Sequence, residues 1–155
     1  MIILYLNKKL FSEQVVLINQ NASSQEKALR FVCSELEKTD AVTSDFFQAI
    51  IEREKVYPTG LSLSRNIGVA IPHTDPDKVK KSQIGFISLK NPVKFKQMGD
   101  ASQEVKVTMI FVLCLKSSND QLDMLQKLMQ MFNDEDAMNK LIKIRKQEEF
   151  YQILE

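Results

Sequence analysis

Strands and helices interleave along this chain, which predicts an α/β fold: a mixed sheet covered by helices on both faces. Two observations carry the prediction. Short apolar runs rich in β-branched residues, such as Ile67–Ile71 and Ile84–Leu89, have the length of buried core strands. Between such runs lie stretches whose apolar residues recur every third and fourth position, the period of a helix with one buried face. With 155 residues, no linker and no internal repeat, the chain reads as a single domain over residues 1–155.

The elements follow in order. Ile2–Leu6 and Val15–Ile18 are aliphatic runs that each suit a short strand, the first alternatively a frayed terminus, with a turn at Asn19–Asn21. Ser23 with Glu26 three residues on is a capping box, so a helix is expected from there to about Lys38, burying Ala28, Leu29, Val32, Cys33 and Leu36. Thr43 or Ser44 caps a second helix whose inner face is Phe46, Phe47, Ile50 and Ile51. It ends near Lys55, because Pro58 disfavours helix at the residue before it. A Thr59–Gly60 turn leads into a loop over 61–66, then the strand Ile67–Ile71, which Pro72 ends by lacking an N–H for a ladder. Asp75 at N-cap and Pro76 at N1 predict a short helix to about Lys80. Ile84–Leu89 and Val93–Phe95 are strands, Gln97–Glu104 a polar loop, and Val105–Leu115 the longest apolar run, suited to a central strand. From Asn119 the period is helical, with Leu122, Leu125, Leu128, Met129 and Phe132 as one face; Asp134 or Asp136 caps a further helix, and Gln147–Leu154 forms the last.

Composition excludes several classes of function. Apolar residues are 44% and charged residues 26%, as in ordinary soluble globular proteins. A net charge of +1 supplies no field to gather nucleic acid. The basic clusters Lys78, Lys80, Lys81 and Lys140, Lys143, Arg145, Lys146 read as solvated helix faces. Cys33 and Cys114 form no C-x-x-C pair, and one histidine cannot complete a zinc site of the usual kind, so no metal is expected and the thiols read as buried and reduced, in a cytoplasmic protein. The opening MIILYLNKKL has neither the apolar length nor the small-residue cleavage site of a signal peptide, and no window approaches the roughly 18 apolar residues of a membrane span.

Chemistry concentrates between Arg53 and Asp77, which holds three of the four prolines and the only histidine, His73. A neutral imidazole is a nucleophile that forms a covalent intermediate without a metal. The expected helix start at Asp75 would aim free backbone N–H groups at a group held on the ring. Arg53, one loop and one strand away, offers a fork donor for phosphoryl oxygens. Asp75 and Asp77 oppose this, since carboxylates repel a dianion unless they cap the helix. There is no G-x-S-x-G elbow to make a triad of Ser62 or Ser64 with Asp75, and no glycine-rich nucleotide loop. Glu52 and Glu54 are expected to face solvent or ion-pair rather than work as an acid–base pair.

The residues Arg53-Glu54, Pro58-Thr59-Gly60 and Ile67-Gly68-Val69-Ala70-Ile71-Pro72-His73, in that order, resemble the signature of the IIA domains of the fructose/mannitol class (type 2) in the bacterial sugar phosphotransferase system. The resemblance covers nearly the whole chain. It implies a three-layer α/β/α sandwich with a mixed central sheet, and a phosphotransferase that works as a phosphocarrier without a cofactor. In that reading His73 accepts a phosphoryl group from HPr and passes it to a cysteine of the cognate IIB, which serves a membrane IIC; the chain itself neither enters the membrane nor binds nucleic acid. Arg53 matches the arginine that holds the phosphoryl group. Many members carry a second histidine in a D-x-H-L context, where this chain has Asn119-Asp120-Gln121-Leu122. Gln121 is then a candidate auxiliary donor, and the departure is similar to the galactitol-type branch. Leu61, Leu63 and the exposed methionines of the late helix are the candidate docking surface. The alternative is a regulatory IIA-like module whose phosphorylation on His73 signals by protein contact.

Overall fold

The computed structural model describes Ile2 and residues 5–154. The sheet is built on a long hairpin, β4 (Gln83–Gln97) and β5 (Asp100–Cys114), joined through Gly99 at φ 80°. Antiparallel pairing runs from Gln83↔Cys114 to Gln97↔Asp100, with register breaks between Ser88 and Val93 and between Lys96 and Gln97. On the outer side of β4 lies β1 (Val16–Gln20), parallel, through Val16↔Phe86, Leu17↔Ile87 and Gln20↔Leu89. On the outer side of β5 lies β3 (Gly68–Ala70), also parallel, through Val69↔Met109 and Ala70↔Ile110. β2 (Gly60–Ser62) is antiparallel to β3 and meets the far end of β4 at Gly60↔Gln97. The sheet is mixed, as expected.

Helices cover both faces. On one face α1 (Gln25–Lys38) and α2 (Phe46–Val56) enclose Val32, Leu36, Phe46 and Ile50 against Ile87, Val107, Ile110 and Val112. On the other, α3 (Ser118–Phe132), α4 (Glu135–Ile142) and α5 (Gln147–Gln152) pack Leu128, Met138 and Phe150 against Ile84, Phe86, Met109 and Phe111. Alternation along β5 sends odd residues from Met109 to one core and even residues from Ile110 to the other. The result is a single-domain α/β/α sandwich. Cys33 and Cys114 are free and buried in the first core, and burial pushes the Cys33 thiol up to about 12.

Several elements differ from the sequence reading. Of the first run, Ile3 and Leu4 lie outside the described residues, and Tyr5 and Leu6 donate their N–H groups to Ile2 O in a turn rather than to a strand ladder. Where a turn was expected from Asn19, β1 instead runs on to Gln20 through a bulge between Leu17 and Gln20, with Asn19 at φ 57° and its N–H donating to Ser88 Oγ at 2.8 Å. The α1 cap is Ser24, which accepts from Lys27 N–H, one residue beyond the predicted Ser23. The α2 N-cap position is Asp45, not Thr43 or Ser44. The loop at Gln97–Glu104 is the hairpin's outer end, and Gly60–Ser62 is a strand. Asp75 precedes only a single 3-10 turn, Pro76–Lys78, because Val79 leaves it in extended conformation to bridge Val42. The inner face of α3 is rotated from the predicted one: Gln121, Met124, Leu128, Met131 and Phe132 are buried, while Leu122 and Met129 face solvent.

Candidate functional site

β3 brings His73 to the end of the sheet. After Ala70 the chain keeps its line: Leu113 N–H donates to Pro72 O at 3.0 Å and His73 makes an isolated parallel bridge to Leu113. β3 is pressed close to β5, since a Cβ on Gly68 would sit 1.8 Å from Lys106 O. The histidine backbone is therefore fixed by the central strand, and its side chain is half-buried.

The ring is fixed as well. His73 Nδ1 lies 2.9 Å from Ile71 O. A carbonyl only accepts, so Nδ1 carries the proton and the Nε2 lone pair points away from the backbone. Burial holds the imidazole below its ordinary pKa; the Ile71 bond works against this, and the charge of Arg53 adds to it. At neutral pH the ring is uncharged, with one defined nitrogen, Nε2, unprotonated.

Arg53 comes from the last turn of α2, as predicted, where a cation also suits the helix dipole. Its Nη1 lies 3.6 Å from Asp75 Oδ1, and its Cζ lies 5.1 Å from the Tyr57 ring centroid. Glu54, beside it, contradicts the expectation of solvent or ion pairing. It is 5% exposed and accepts two hydrogen bonds from Thr59: the N–H to Oε1 at 3.1 Å and the hydroxyl to Oε2 at 2.8 Å. Burial raises its carboxyl to about 7, with the Thr59 bonds opposing. The clamp closes the turn at Tyr57–Pro58 and ties α2 to β2. A helical signal was available: Phe46, Ile50 and Glu54 are spaced by four, so Glu54 shares the buried stripe.

Gln121 is buried in the first turn of α3 rather than exposed. Its Nε2 donates to Thr74 O at 3.0 Å and to Leu115 O at 3.4 Å. The amide expected to donate toward a phosphoryl group is thus engaged on backbone carbonyls, one of them belonging to the residue after His73. The predicted helix start at Asp75 does not supply an array of N–H groups, because the 3-10 turn is three residues long and Asp75 makes no side-chain cap. The Lys78, Lys80 and Lys81 cluster is paired, with Asp45, Asp40 and Glu13. Of the predicted docking residues, Leu61 and Leu63 are half-buried against the core, whereas Met129 is exposed together with Leu122, Val56 and Tyr57. Met124 and Met131 are core. Among the described residues no group of acidic, cysteine and histidine side chains fits a metal, and no helix is long and apolar enough to cross a membrane.

Comparison with known proteins places this geometry in context. The family model described as "Phosphoenolpyruvate-dependent sugar phosphotransferase system, EIIA 2" matches residues 9–155. The chain is 28% identical over 148 residues to a mannitol-specific phosphotransferase enzyme IIA component of Staphylococcus aureus, covering 95% of this chain and 96% of that one. It is 29% identical over 118 residues to a galactitol-specific EIIA component of Escherichia coli, covering 76% and 77%. In fold it is similar to the IIA component in a complex of IIA mannitol with phosphorylated IIB mannitol from Escherichia coli, with a TM-score of 0.70, 22% identity and coverage of 91% and 94%.

Proposed function

Because the chain belongs to the EIIA 2 family of the phosphoenolpyruvate-dependent sugar phosphotransferase system, we propose that it is a phosphotransferase that carries a phosphoryl group on His73 Nε2. The observation that carries this reading is the Nδ1–H to Ile71 O bond, which leaves Nε2 as the nucleophile of a ring kept neutral by burial. In the first transfer the Nε2 lone pair forms the N–P bond. The donor's bond to phosphorus breaks, and its electron pair stays with the donor. The Nδ1 proton does not move; the ring takes up positive charge, which Ile71 O steadies. In the second transfer a thiolate sulfur attacks phosphorus, the N–P bond breaks, and its pair returns to Nε2. Little covalent work falls to the protein, so positioning and charge stabilisation do most of it.

Arg53 is the phosphoryl clamp: its guanidinium presents five N–H donors in a fork that fits phosphoryl oxygens. Gln121 supports the site from behind by holding Thr74 O and becomes an auxiliary donor only if it releases a carbonyl. The donor is HPr and the acceptor a cysteine of a cognate IIB, through which the group reaches a membrane IIC; the protein works in the cytoplasm. The exposed apolar side chains beside Arg53 and Gln121, namely Val56, Tyr57 and Leu122, suit weak docking of each partner in turn. The relatives named for mannitol and galactitol point to a sugar alcohol as the transported substrate, and Gln121 in place of a second histidine favours the galactitol type. The test is phosphotransfer from phospho-HPr, read by intact mass. The wild-type chain gains one phosphoryl group and loses it to the cognate IIB, whereas His73→Ala gains none. A labelled His73→Ala protein would move the site elsewhere.

A further inference from the structure

Asp75 stands two residues after His73, at the head of the 3-10 turn, yet its side chain does not cap that turn. Its carboxylate faces Arg53 at 3.6 Å, with 76% of its side chain open to solvent. On its other side the same guanidinium lies over Tyr57. Lys78, the nearest cation in sequence, is taken by Asp45 at 2.6 Å. Before any phosphoryl group arrives, Arg53 is therefore already in ion-pair contact with a carboxylate, through one nitrogen and at more than hydrogen-bond length.

We propose that Asp75 is a positioning residue acting through Arg53: its carboxylate holds the guanidinium in the unphosphorylated protein and must surrender it when His73 is phosphorylated. The inference rests on the phosphocarrier reading. When the N–P bond has formed, Arg53 turns to the phosphoryl oxygens, and Asp75 is left as an unpaired anion beside a dianion. That raises the free energy of the phosphorylated state and leaves the unphosphorylated state slightly favoured. This chain is consequently a weaker acceptor and a stronger donor than it would be with a neutral residue at 75, tuned toward handing the group on.

The exposed ion pair is weak alone, but repulsion between Asp75 and a phosphoryl group carried two residues away adds to it, and about a tenfold effect on the transfer equilibrium is expected. The experiment mixes phospho-HPr with the full chain and reads both phosphorylated species by intact mass at equilibrium. Asp75→Asn is expected to raise the equilibrium constant for phosphorylation about tenfold, with Asp75→Glu restoring it to near the wild-type value. Asp77→Asn, which leaves the Arg53–Asp75 ion pair in place, is expected to leave it unchanged. In an Arg53→Gln background the Asp75→Asn effect is expected to shrink to under about threefold. An unchanged equilibrium in Asp75→Asn overturns the proposal. So does an equal shift with and without Arg53, which would mean direct repulsion alone. A wild-type chain that accepts no phosphoryl group overturns the phosphocarrier reading instead, so the two failures are distinguishable.

Discussion

Replacing Glu54 by glutamine tests how the site is held together. The carboxyl is raised from its ordinary 4.5 to about 7, chiefly by burial. In the unfolded chain it ionises near the ordinary value, so between those two pH values the native state binds more protons than the unfolded one. Stability from this group is fully present below pH 4.5, falls as pH rises, and is lost above about 7. At 1.36 kcal/mol per unit the loss amounts to about 3 kcal/mol, a large share of a typical domain's stability. Glutamine keeps an acceptor for Thr59 N–H and can donate to the Thr59 hydroxyl, so both contacts survive without a charge. The expected result is a Glu54→Gln protein whose stability relative to wild type climbs by about 3 kcal/mol from pH 4.5 to pH 8. Urea unfolding at several pH values measures it, followed by far-ultraviolet circular dichroism because the chain has no tryptophan. Parallel stability profiles for the two proteins would refute the reasoning.

The pH dependence of phosphoryl uptake follows from His73. A ring protonated at Nε2 has no lone pair to attack, so the single-turnover rate falls on the acid side only, with a midpoint below the ordinary imidazole value of about 6.5. Arg53→Gln moves that midpoint upward by removing a nearby positive charge, as well as slowing transfer; a midpoint that stays put would show that Arg53 does not face the ring. Gln121→Ala leaves Thr74 O and Leu115 O without their side-chain donor in a buried place, and is expected to cost about 1–3 kcal/mol in urea unfolding. A cost near zero would show that the amide does not brace the residue after His73.

The fold was legible wherever burial on both faces left a hydrophobic pattern. Val105–Leu115 reads as a central strand because β5 has a core on each side there, and the α1 face reads correctly because every third or fourth residue enters one core. The outer hairpin was not legible because it is solvent-exposed from Asp100 to Glu104: the strands are held there by the ladder, which leaves no mark on composition. β2 is three residues long and begins at a glycine, too short to show a period of two. In α3, ranking by hydrophobicity put Leu122 inside, whereas the buried place belongs to Gln121, whose amide meets backbone carbonyls. A polar side chain with a specific partner overrode a stronger hydrophobe. His73 and Arg53 could be singled out from residue chemistry, and the family resemblance supplied the phosphoryl group. The pairing of Asp75 with Arg53 was not legible, since the sequence shows Asp75 as a helix cap, a repulsive charge or a triad acid and its partner lies 22 positions away.

These pieces form one mechanical path. Arg53 and Glu54 are adjacent on α2 but serve opposite directions, the guanidinium toward solvent and the carboxyl into the protein. Glu54 grips Thr59; the next residue, Gly60, pairs with Ala70, and three residues on stands His73, held in turn by Leu113. Arg53 and His73 are thus joined through one buried carboxyl and one three-residue hairpin pairing. A charge that changes near neutral pH lies on that path. Both Thr59 bonds donate to the carboxyl and favour its ionised form, so ionisation tightens this grip even as burial of the charge costs stability, and transfer should run parallel above pH 7 in wild type and Glu54→Gln. An alkaline fall common to both proteins would assign it to the partners rather than to this carboxyl.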